Sequence, residues 1–150
     1  MNDHEFIEAF ERCDVPSFHH RDHVRLAWIY LRDQPPLDAL ARFTTSLKRF
    51  ATAKGSPGLY HETITWAYLL LIHERMNGEP TFDAFRAANP DLFTWKPSVL
   101  ARYYRPETLS SERARQTFVM PDLVDRCSLF VLRGSLIAGR RSLVAIFESD

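Results

Sequence analysis

Two stretches of this chain, V-R-L-A-W-I-Y-L (residues 24–31) and I-T-W-A-Y-L-L-L-I (residues 64–72), are apolar on nearly every side of a helix. A helix without a polar face has to be surrounded by other elements. Two of them in a chain of 150 residues call for a bundle in which both lie centrally and more amphipathic helices cover them. The expected fold is all-α: a compact helical bundle of about four main helices, followed by short C-terminal helices.

Proline and glycine mark the joints. A first helix is predicted over residues 3–12, with Phe6, Ile7 and Phe10 on one face and Cys13 extending it. Pro16 breaks the chain, and Ser17 is the expected N-cap of a second helix ending near Arg32. Pro35 and Pro36 precede a third, residues 37–53, whose stripe reads Leu37, Leu40, Ala41, Leu47 and Ala51. K-G-S-P-G (residues 54–58) is a loop, and the fourth helix covers residues 60–76, closed by Asn77 and Gly78. Thr81 caps a short helix to Ala88, and further short helices are predicted over residues 98–104 and 110–118. No repeat or linker divides the chain, so residues 1–150 read as a single helical domain. Residues 1–120 form its core. Residues 121–150 form a tail of short apolar runs whose structure periodicity does not settle, and which offers a partner or homodimer contact.

Composition removes several function classes. Lys plus Arg equals Asp plus Glu, so no global basic field draws the chain to nucleic acid or to an acidic membrane. The longest membrane-span candidate, residues 127–147, is interrupted by Arg133, Arg140 and Arg141 and falls short of the roughly 18 apolar residues a span requires. N-D-H-E at the start predicts no signal peptide. Cys13 and Cys127 form neither a metal pattern nor a disulfide framework, so a cytoplasmic location is expected. The chain carries no P-loop, G-x-G-x-x-G, H-E-x-x-H, G-x-S-x-G or di-iron E-x-x-H pair.

The histidines carry the chemistry. S-F-H-H-R-D-H (residues 17–23) opens the second helix and Y-H-E-T (residues 60–63) opens the fourth. Consecutive helices on short loops pack antiparallel, which brings these two starts to one end of the bundle. His20 and His23, three apart, share a helix face. His73 lies 12 residues beyond His61, roughly 18 Å along the axis, and is excluded. His4 belongs to the opposite end. His20, His23, His61 and Glu62 are thus the candidate ligands of a transition metal, zinc or iron, with Glu62 also a general base and bound water the species activated. Asp22 and Glu62 are equally ordinary complements to helix dipoles. Arg25, set in an apolar stretch, is the candidate for binding an acidic group of a cofactor or ligand, with Glu62 a candidate partner. R-Y-Y-R and E-R-A-R (residues 102–105 and 112–115) suit carboxylate or phosphate recognition, or a solvated helix face. Trp28, Tyr30, Trp66 and Tyr68 read as core.

F-H-H-R-D-H-V-R-L-A-W (residues 18–28), Y-H-E-T-I-T (residues 60–65) and Y-Y-R-P-E-T-L-S-S-E-R-A-R-Q-T-F-V-M-P-D (residues 103–122) resemble a group of small bacterial proteins with no established activity. The resemblance covers residues 18–122 and implies no reaction. Three functional readings stand: a metal site that possesses or lacks enzymatic activity, a metal-free site for a small anionic molecule built from helix N-termini and neutral histidines, and a non-catalytic interaction module using the tail.

Overall fold

The computed structural model describes residues 1–123, and within them the chain is all-α. The tail contact expected of residues 121–150 lies, from residue 124 on, outside the described residues. Seven α-helices are described: α1 (Asp3–Glu11), α2 (His20–Asp33), α3 (Pro36–Ala53), α4 (Glu62–Arg75), α5 (Phe82–Ala88), α6 (Pro106–Leu109) and α7 (Glu112–Gln116). Single 3₁₀ turns cover Pro57–Leu59, Pro90–Phe93 and Val99–Arg102. None of the described helices is long and apolar enough to cross a membrane.

α2 and α4 are the two central helices, packed on each other and both on α3. Leu26, Ala27, Ile29 and Tyr30 of α2 and Leu69 and Ile72 of α4 are fully buried, with Trp28 nearly so. The arrangement follows from their lack of a polar face. α1 is opened by a capping box in which Asn2 Oδ1 accepts the Glu5 N–H and Glu5 accepts the Asn2 N–H, both at 2.9 Å.

Three local readings are corrected. Cys13 does not extend the α1 face: it adopts a left-handed φ of 61° and turns the chain out of the helix, and Val15 becomes the buried residue. The N-cap of α2 is His19, not Ser17. Asp22 accepts the His19 N–H at 2.9 Å, and Phe18 just before the cap packs on His23 with ring centroids 4.3 Å apart, a hydrophobic staple. On α3 the buried face is Ala39, Leu40, Phe43, Ser46 and Leu47, while Leu37 is 80% exposed. Phe43 and the half-buried Phe50 outweigh Leu37 in the apolar area they remove from water, and they set the roll of the helix.

Carboxylates pin the outer elements. Asp3 bridges Arg25 at 2.9 Å and Arg32 at 2.8 Å, joining α1 to α2. Glu11 accepts the Tyr30 hydroxyl at 2.9 Å and pairs with Arg42 at 2.8 Å. Burial, with Glu11 beside it, pushes the Tyr30 phenol up to about 12. Asp91 joins Arg75 and Arg102 at 2.7 and 3.0 Å.

Phe10, 1% exposed, stacks on Phe18 and Phe50 at 4.6 and 4.9 Å. Phe10→Ala should cost about 3–5 kcal/mol in equilibrium urea unfolding. Leu37→Ala should cost less than about 0.5 kcal/mol. Comparable losses in the two variants would refute the roll assigned to α3.

Candidate functional site

The starts of α2 and α4 open onto one cavity of about 820 Å³. His19, His20 and His23 line it from α2, and Tyr60, His61, Ile64, Thr65 and Tyr68 from the α4 side. α3 contributes Phe43, Leu47, Phe50 and Ala51, and Trp95 stands at the edge, 52% exposed. The walls are mostly hydrocarbon and aromatic, the composition of a small-molecule pocket. His73 is exposed and His4 lies beside Glu8, both away from the cavity.

Although three sequence-predicted histidines share the cavity, their nitrogens differ in availability. His61, 8% exposed, is the N-cap of α4. Its Nδ1 accepts the Ile64 N–H at 3.3 Å, which places the proton on Nε2, and Nε2 donates to the Leu109 carbonyl at 2.8 Å. Both ring nitrogens are therefore engaged, and the imidazole is a structural cap. His20 Nε2 donates to the Leu92 carbonyl at 2.7 Å, which leaves Nδ1 as a lone pair. Its ring lies against Tyr68 and Trp95 at 5.0 and 5.1 Å. Burial lowers its pKa, against the bond to Leu92. His23 packs on Phe18 and has no side-chain hydrogen bond among the described residues. Burial, with His20 beside it, drives its pKa down to about 4, against the opposing pull of Asp22, so the ring is neutral near pH 7.

Glu62 and Arg25 stand elsewhere. The Glu62 carboxylate points away from the histidines, accepting the Trp66 indole N–H at 2.9 Å and pairing with Lys48 at 3.0 Å. Arg25 does not approach Glu62. It is held by Asp3, its guanidinium sits 4.7 Å from the Phe6 ring centroid, and it belongs to a separate depression with Arg21 and Arg32. Both side chains follow from helical geometry. Glu62 points toward Trp66 one turn on, and Arg25 lies toward α1 rather than on the His20–His23 side. Among the described residues no three His, Cys, Asp or Glu side chains are placed to hold one metal ion. The imidazoles gathered by the cavity are His19, His20 and His23, with His61 already bonded on both sides.

Several site residues escaped the sequence reading. The Tyr60 hydroxyl is buried and has no hydrogen-bond partner among the described residues. Burial and the nearby Glu62 carboxylate raise its pKa well above the usual phenol range, so it remains a neutral donor. Thr65 is 9% exposed on the same wall. Lys54 and Arg115 also line the cavity, and Arg115 Nη1 donates to the Gly58 carbonyl at 2.8 Å. Tyr60 stood next to the flagged His61, and Arg115 was itself read within E-R-A-R as suited to carboxylate or phosphate recognition, though not as part of this cavity. Lys54 gave no signal.

Comparison with known proteins finds no matching family model, no matching curated protein and no matching solved structure.

The His23 shift has a defined sign. Unfolded, the ring titrates near its ordinary value of 6.5, and folded at about 4. Within that window the unfolded chain binds the extra proton, so stability falls as pH drops and is level above it. Between pH 7 and pH 5 the wild type should lose on the order of 2 kcal/mol from this group in urea unfolding, and His23→Leu should lose correspondingly less. Equal losses would mean the imidazole is hydrated in the folded state.

Proposed function

We propose that the protein binds an apolar small molecule in the cavity between α2, α3 and α4, in a reducing cytoplasm and with no requirement for a metal ion. The observation that carries this reading is the cavity itself, about 820 Å³ and walled mostly by hydrocarbon and aromatic side chains, with the His20 and His23 rings among them. Seating an apolar molecule there removes its surface from water at about 25 cal/mol per Å². The neutral His23 ring and the Nδ1 lone pair of His20 offer further hydrogen bonds to the same occupant. A mostly apolar pocket with a few convergent polar groups is the usual form of a small-molecule site. Any proton transfer from the ligand falls to His20, because Leu92 holds its ring and its second nitrogen is an acceptor.

A transition-metal site, zinc or iron, is the competing reading. The pairing of His20 with His23 on one turn of α2 favours it. The further ligands it requires are the difficulty. His61 would have to give up its bonds to Ile64 and Leu109, and Glu62 its contacts with Trp66 and Lys48.

N-phenyl-1-naphthylamine, a neutral probe that fluoresces in apolar surroundings, tests the binding reading. It should titrate to one site per chain. Ala51→Trp, which fills the cavity from a half-buried position on α3, should weaken binding about tenfold or more while the far-ultraviolet circular dichroism is unchanged. Probe binding should also persist after chelator treatment. Near-stoichiometric zinc or iron, retained on purification and lost in His20→Ala/His23→Ala, would instead establish the metal site.

A further inference from the structure

The cavity wall holds positive charge and no carboxylate. Its formally charged members are Lys54 and Arg115, and no Asp or Glu is among the lining residues. The two acids nearest in sequence are turned elsewhere: Asp22 accepts the His19 N–H, and Glu62 serves Lys48 and Trp66. Neither cation has a carboxylate within ion-pair distance among the described residues. Lys54 Nζ lies 5.3 Å from the centroid of the Phe50 ring, and the hydrogen bonds of Arg115 run to the backbone carbonyls of Gly58 and Tyr60. α2 and α4, of 14 residues each, also direct the positive ends of their dipoles here.

The charges and the neutral polar groups are distributed differently. Lys54 and Arg115 are exposed, beside the 3₁₀ turn Pro57–Leu59. Tyr60, His23 and Thr65 are sheltered, and the phenol and imidazole are neutral. An anion placed deep would be desolvated beside groups that carry no charge, at a cost of several kcal/mol. Placed at the mouth, it stays partly hydrated and meets Lys54 and Arg115, neither paired with a carboxylate among the described residues. A bound molecule that satisfies both regions has an apolar body and an acidic end.

Resting on the binding reading above, we infer that the physiological ligand is an amphipathic organic acid, its hydrocarbon or aromatic body among Phe43, Leu47, Phe50 and Ile64 and its acidic group between Lys54 and Arg115 at the mouth. Arg115 supplies a planar fork suited to a carboxylate, and Lys54 supplies a point charge.

Two probes with one skeleton separate charge from hydrophobicity: neutral N-phenyl-1-naphthylamine and its 8-sulfonate, 8-anilinonaphthalene-1-sulfonate. Each is titrated into wild type and Lys54→Gln/Arg115→Gln, at low and at 0.5 M sodium chloride. The deciding quantity is the affinity ratio of sulfonate to neutral probe. That ratio should fall about tenfold or more in the variant, and salt should lower it in wild type alone. Arg115→Lys should retain most of the preference. A ratio unchanged by the substitutions, or an equal loss of both probes, would overturn the acid-binding inference while leaving the cavity a binding site. Failure of both probes to bind wild type, or their indifference to Ala51→Trp, would overturn the binding reading as well.

Discussion

The buried start of α4 has to place polar groups in a region without water, and the way it does so organises one side of the molecule. Thr63 is fully buried, yet its hydroxyl donates to the Thr117 carbonyl at 2.8 Å and accepts the Val119 N–H at 3.0 Å. His61 caps the helix with one nitrogen and holds the Leu109 carbonyl with the other. Tyr104 donates to the Val119 carbonyl, and Phe118 stacks on Trp66 at 5.2 Å. Leu109, Thr117 and Val119 lie at or beyond the ends of the short helices α6 and α7, and α4 supplies partners for their backbone groups. An unmade bond in this set leaves a buried group exposed to the full desolvation penalty.

The same arrangement separates structural from available histidines. Imidazole at the head of a helix can act as a cap, a staple or a functional group. His61 takes the first role through two hydrogen bonds, and His23 takes the second by packing on Phe18. Packing on Phe18 leaves the His23 nitrogens without a hydrogen-bond partner among the described residues, so the residue that stabilises the turn also presents a neutral polar edge to the cavity. His20 is fixed in orientation by a backbone carbonyl and keeps one lone pair. Three residues of one type, gathered at one end, thus end in three chemical states.

The all-α architecture was legible because it rests on periodicity: two helices apolar all round leave few alternatives. The shared cavity was legible for a similar reason, since short loops impose antiparallel neighbours. Side-chain direction at helix starts was not. Ser17 reads as a cap by composition, but Phe18 is drawn to the ring cluster of Phe6, Phe10 and Phe50, and the helix begins two residues later. Glu62 sits in sequence beside a histidine that faces the cavity, but helical spacing turns it to Trp66 one turn on, and its pairing across to Lys48 depends on tertiary packing. Arg25 found its acid in Asp3, 22 residues earlier. Leu37 satisfied an amphipathic stripe and still faces water, because two phenylalanines define a heavier face of the same helix.

The bonds that seal α4 also have a place in time. His61 to Leu109, Thr63 to Thr117 and Arg115 to Gly58 join positions 48, 54 and 57 residues apart, whereas the α2–α3 and α3–α4 joints are local. Contacts of long sequence separation bear the larger loop-closure entropy and set the slower part of folding. During synthesis the chain emerges from its N-terminus, so the three long helices are complete before Leu109, Arg115 and Thr117 have been made. Throughout that interval Thr63 and His61 lack their distant partners and the apolar wall lacks its seal. The nascent bundle is a precursor in which the polar groups at the start of α4 wait for residues 109–119 to emerge.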